Sequence, residues 1–74
     1  MDQRYSGGRE IHVDDRVTYN KQPGRIVFVA DRHEFTKGYE WKEYSSGFLI
    51  EFDNGARLLL EAPDDLLVFE GAHA

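Results

Sequence analysis

Phe48-Leu49-Ile50-Glu51-Phe52-Asp53-Asn54-Gly55-Ala56-Arg57-Leu58-Leu59-Leu60 is the stretch that decides the fold. Its first five residues alternate, with Phe48, Ile50 and Phe52 on one face of an extended chain. Asn-Gly between apolar runs is the leading short-range hairpin signal, because a type I′ turn needs positive φ at both central residues. Arg57–Glu61 then pairs back across the turn. Leu58, Leu59 and Leu60 are all apolar, so the phase of this returning strand stays open.

Working outward, the same grammar repeats. Val17-Thr18-Tyr19 and Arg25–Ala30 are rich in β-branched and aromatic residues. Between them Gln22-Pro23-Gly24-Arg25 reads as a type II turn, with Pro presetting φ and Gly taking the positive value. Ala62-Pro63-Asp64-Asp65 is a further break, and Leu66–Phe69 is a short closing strand. No stretch keeps a 3.6-residue apolar period over three turns, so no long helix is expected. The spacing of short strands and turns predicts an all-β domain built as a small barrel or sandwich.

The chain has 74 residues, enough for one domain. A chain this short buries only about 60% of the surface that its unfolded form exposes. It has no cysteine, so neither a disulfide nor a thiolate metal site staples it. Five Phe, four Tyr and one Trp supply the bulk for a thin core. Residues 1–10 are polar and contain Gly7-Gly8, and are expected to form a flexible arm. Residues 11–70 form the folded domain and 71–74 a short tail. The N-terminus has no apolar segment of the signal-peptide kind, and no run approaches the length of a membrane span. A bacterial, cytoplasmic protein with no membrane partner is expected.

Val13-Asp14-Asp15-Arg16-Val17-Thr18-Tyr19, followed by Pro23-Gly24-Arg25-Ile26-Val27, resembles the opening of SH3-like small barrels of the KOW and Tudor type. The resemblance spans roughly residues 11–70 and implies five strands closed into a barrel with one long aromatic loop. It carries architecture, not function. The layout is also similar to small-barrel dihydrofolate reductases, but their Val-Gln-Ile-Tyr segment does not occur here and that activity is not carried over.

Asp31–Ser46 is too long for a simple connection in so small a domain. It contains Phe35, Tyr39, Glu40, Trp41, Glu43 and Tyr44. Aromatic faces attract cations, neighbouring carboxylates add to the attraction, and Trp and Tyr are common interface anchors. These six residues are the candidate binding set, with Tyr39 and Trp41 expected at least partly exposed. The competing reading is that the rings fold back to complete the core.

Other chemistry has little support in the sequence. His12, His33 and His73 lie in no metal-binding pattern, and no metal or cofactor is expected. Asp14-Asp15 and Asp64-Asp65 are adjacent pairs, which point to opposite faces of a strand and suit turns better than shared acid–base work. Ser6, Ser45 and Ser46 lie in no nucleophile context, and Gly7-Gly8 lacks the Lys-Ser/Thr ending of a phosphate loop. An enzyme is therefore not expected.

The net charge is −5, from 14 acidic and nine basic residues. It opposes binding to nucleic acid, which depends on cationic neutralisation of phosphates. The expectation is a small binding module for a protein partner of basic character, either of the immunity/inhibitor kind or an accessory protein from a mobile genetic element. The alternatives are a KOW-like nucleic-acid or ribosome-associated module and a small-ligand binder formed by an oligomer. A homodimer through half-exposed Leu49 and Leu59 is also expected.

Overall fold

A computed structural model of the chain describes residues 4–30, 33–36, 38 and 46–71. These residues are all-β, with no α-helix among them. The strands are β1 (Arg16–Tyr19), β2 (Gln22–Val29), β3 (Glu34–Phe35), β4 (Phe48–Phe52), β5 (Arg57–Leu60) and β6 (Leu67–Gly71). All pairings are antiparallel, in the order β5-β4-β2-β1-β6, with β3 pairing β2 off this path.

The sheet has six strands and is not closed. β5 and β6 are its two edges, and no pairing joins them among the described residues. The expected five-stranded closed barrel is corrected to this open arrangement. The eight-residue β2 alone is long enough to serve several partners, whereas β5 and β6 have four and five residues and one neighbour each.

Pairing shifts register between Ile26 and Phe28, so Val27 and Phe28 together oppose Leu49. Such a bulge resets the alternation of side chains. Ile26 and Val29 consequently both join the main core, with Val17, Phe48, Ile50 and Leu67. Val27 and Phe28 go to a second cluster with Leu49 and Ala30 on the other side of the sheet. The register Phe48↔Leu60, Leu49↔Leu59, Ile50↔Leu58 settles the phase of the leucine run. Leu49, expected to be half-exposed beside Leu59, is only 4% exposed and packs with Val27, Phe28 and Ala30, while Leu59 is half-buried against the same cluster.

The turns correct two expectations. The β4–β5 hairpin is where Asn-Gly placed it, but Phe52 N–H donates to Ala56 O at 2.7 Å and Gly55 N–H to Phe52 O at 2.9 Å. This is a three-residue loop in which Gly55, not Asn54, takes positive φ. The two-residue type I′ turn lies instead at Asn20-Lys21, with φ of 51° and 68°. Pro23 and Gly24 are inside β2, paired with Thr18 and Val17. Gly24 is needed there for close approach: a Cβ would lie 2.8 Å from Glu51 O and 3.1 Å from Phe52 Cα.

Residues 4–10, read from sequence as part of a flexible arm, repeat the same loop geometry. Tyr5 N–H donates to Arg9 O and Gly8 N–H to Tyr5 O, both at 2.8 Å, and Gly8 has φ of 92°. Arg4 and Glu10 form an antiparallel bridge below this loop. The small hairpin inserts Tyr5 into the main core, with its ring 5.2 Å from that of Phe69 on β6.

Candidate functional site

The N-terminal hairpin and the turn leading into β1 enclose an open cleft of about 550 Å³, lined by Arg4, Gly8, Arg9, Glu10, His12, Val13, Asp14 and Asp15. A smaller recess of about 300 Å³ lies at the opposite hairpin, between Gln22, Pro23, Phe52, Asp53 and Asn54. Its one carboxylate, Asp53, is held by the Arg16 guanidinium at 2.9 Å. The larger cleft holds the denser chemistry.

Asp15 is the buried anchor of the cleft, 5% exposed. Its Oδ2 accepts the Tyr5 hydroxyl at 2.8 Å and the His12 backbone N–H at 3.0 Å. The preceding Asp14 takes φ of 73°, turning the chain so that both acids serve the turn between Ile11 and β1. This conformation is uncommon outside Gly, and Asp is among the residues that tolerate it. On the rim, the His12 imidazole lies between two carboxylates, with Nδ1 3.1 Å from Glu34 Oε2 and Nε2 3.3 Å from Glu10 Oε1. Glu34 Oε1 also accepts the Val13 N–H at 3.2 Å. β3 thereby braces the turn from 21 residues away in sequence.

The cationic side chains are distributed around this acidic set. Arg4 pairs with Glu10 at 3.2 Å and donates to Gly8 O. Arg9 lies over the Phe69 ring, 4.3 Å from its centroid. Arg25 reaches Asp14 at 3.8 Å and Glu51 at 3.4 Å.

Burial, reinforced by the hydrogen bond to Asp15 and by that carboxylate's charge, pushes the Tyr5 hydroxyl far above the ordinary tyrosine value of 10.0. The folded state therefore holds a proton that the unfolded chain releases. The stability linked to it is complete below pH 10 and is lost as pH rises through the folded value. Stability should fall above pH 10 by up to about 1.4 kcal/mol per pH unit from this group. Denaturant titrations between pH 9 and pH 12 should show a shallower decline for Tyr5→Phe than for the wild type. Equal slopes would refute the assignment. Tyr19 serves as the control: its hydroxyl, bonded to Asp64 at 2.7 Å, is raised chiefly by that bond but lies at the surface.

Of the six residues singled out in the sequence, Phe35 alone is described. It is 45% exposed and pairs with Phe28 on the side of the second cluster. The preceding Glu34, on the opposite face of the same short strand, is the residue that reaches the cleft. Tyr39, Glu40, Trp41, Glu43 and Tyr44 lie outside the described residues. Sequence reading missed Tyr5, Arg9, Glu10 and His12 as members of one site. The available signal was the Arg4–Glu10 segment itself, where an aromatic residue precedes Gly7-Gly8 and charges follow on both sides.

Among the described residues no group of three or more His, Cys, Asp and Glu side chains is arranged to hold a metal ion. No described helix is long and apolar enough to cross a membrane. No protein-family model matches the chain, and neither a curated protein nor a solved structure does.

Proposed function

We propose that this chain is a small non-catalytic binding module of SH3-like kind whose ligand is a polypeptide. The observation that carries the reading is the open cleft of about 550 Å³ walled by charged side chains on a rigid sheet. Its acids and bases already engage one another, His12 with Glu10 and Glu34 and Asp15 with Tyr5, which suits recognition more than proton transfer. The meander order β5-β4-β2-β1-β6, with β2 bent at its bulge, supports the SH3-like assignment. The net charge of −5 favours a basic partner and opposes nucleic acid. In sequence, Tyr39, Glu40, Trp41, Glu43 and Tyr44 follow β3, the strand that braces the cleft through Glu34, and are the residue types that would extend the contact.

Selection of peptides from a random displayed library tests this. Enriched peptides should bind one-to-one at micromolar concentration. His12→Ala, on the cleft rim, should weaken them about tenfold, or about 1.4 kcal/mol. Phe35→Ala, on the other face, should leave them unchanged if the cleft is the site. The reverse pattern would move the partner to the aromatic side, and failure to enrich any peptide would reject the reading.

A further inference from the structure

Asp15, one of the residues lining the cleft, has a carboxylate oxygen that no described residue donates to. Asp15 is 5% exposed, and both of its donors, the Tyr5 hydroxyl and the His12 N–H, go to Oδ2. Oδ1 receives no hydrogen bond from a described residue. A buried carboxylate oxygen without a donor is costly, and in native proteins such atoms are met by water, an ion or a ligand.

Arg4 and Arg9 line the cleft and Arg25 borders it through Asp14, but the contacts these three make are with other groups than Asp15 Oδ1. Arg4 is engaged by Glu10 and Gly8 O, Arg9 rests on the Phe69 ring, and Arg25 spans Asp14 and Glu51. The described residues make no metal-holding cluster here, so a bare divalent cation is not the natural occupant. A cation carried on an aliphatic stem fits better. Asp15 and Val13 both line the cleft, so such a group would meet a carboxylate at its head and an apolar side chain along its stem. Long basic side chains bury their stems in this way while their charged ends find partners.

We infer that the cleft binds the guanidinium or ammonium group of an arginine or lysine presented by a polypeptide, with Asp15 Oδ1 as the acceptor. The inference rests on the polypeptide-binding reading and names the residue type that the cleft selects. It gives Asp15, read from the sequence as a turn residue, a role in specificity.

The test is an amide chemical-shift titration of the full chain with N-acetyl-arginine amide, N-acetyl-lysine amide and the neutral isostere N-acetyl-citrulline amide. Both cations should give saturable shifts at His12, Asp14 and Asp15, and citrulline should bind at least tenfold more weakly. Asp15→Asn, which keeps an oxygen for the Tyr5 hydroxyl, should weaken the cations at least tenfold, whereas the distant Asp65→Asn should bind as the wild type does. Absence of saturable shifts, equal binding of citrulline, or unchanged binding by a folded Asp15→Asn would overturn the inference and leave water as the partner of Oδ1. Should Asp15→Asn lose its dispersed spectrum, the citrulline comparison on the wild type decides alone. A selected peptide that binds Asp15→Asn as tightly as the wild type would overturn this inference while leaving the polypeptide-binding reading intact. Failure to select any peptide strikes that earlier reading instead.

Discussion

Gly47→Ala should destabilise the domain by about 3 kcal/mol or more, the sum of two separate costs. Gly47 has φ of 89°, where an L side chain is strained by about 1–2 kcal/mol. A Cβ there would also lie 2.5 Å from Leu60 O and 3.2 Å from Glu61 Cα, which are backbone atoms and cannot swing aside. Nor is the segment free to retreat: Gly47 O accepts the Ala30 N–H at 2.9 Å, tying the start of β4 to the end of β2. Gly55→Ala is the matched control. Its φ of 92° is nearly the same, but nothing lies within 4 Å of the added carbon. It should cost about 1 kcal/mol, the conformational part alone. Paired urea titrations measure the difference. Equal losses at the two positions would show that the contact with Leu60 is relieved at little cost. For a domain of this size, total stability is on the order of 4–11 kcal/mol, so the Gly47 change should remove from about a quarter to about three quarters of it.

The contrast between these glycines also shows which parts of the fold were legible in the sequence. Local chemistry located the β4–β5 hairpin at Asn54-Gly55, because the signal and the structure both lie within a few residues. It misplaced the β1–β2 turn, because Pro23-Gly24 is a stronger turn signal than Asn20-Lys21. Yet the requirement on Gly24 comes from Glu51 and Phe52, far along the chain. Gly7-Gly8 looked like a loose arm for the same reason: what fixes that hairpin is the fit of Tyr5 against Phe69, a contact no local pattern encodes. Likewise, alternation in the Phe48–Phe52 strand was readable, but the bulge at Val27 that sends Phe28 to the second cluster is set by pairing with Leu49. The candidate site was less legible still. His12 meets Glu34 across 22 positions, and Asp15 meets Tyr5 across 10, so only the folded sheet brings them together.

Asp15→Ala should cost about 3 kcal/mol, because it removes one acceptor and strands two donors. The Tyr5 hydroxyl and the His12 N–H both terminate on Oδ2, and Tyr5 and Asp15 are each only 5% exposed. A buried donor left without a partner costs about 1–3 kcal/mol. Tyr5→Phe should cost less, about 1 kcal/mol, because Asp15 keeps its bond from His12 and the ring keeps its packing on Phe69. In the double variant the stranded hydroxyl no longer exists. The two losses should therefore fall short of additivity by about 1 kcal/mol, the coupling expected for directly bonded side chains. The Arg9 contact with Phe69 provides the internal check, since the ring it stacks on belongs to neither Tyr5 nor Asp15. Arg9→Ala should add independently to Asp15→Ala if the hairpin is held at two separate points, the ring stack and the carboxylate. Strict additivity of Asp15→Ala with Tyr5→Phe would mean that the hydroxyl finds another acceptor when the carboxylate is gone. The buried bond would then not be what fastens residues 4–10 to the sheet.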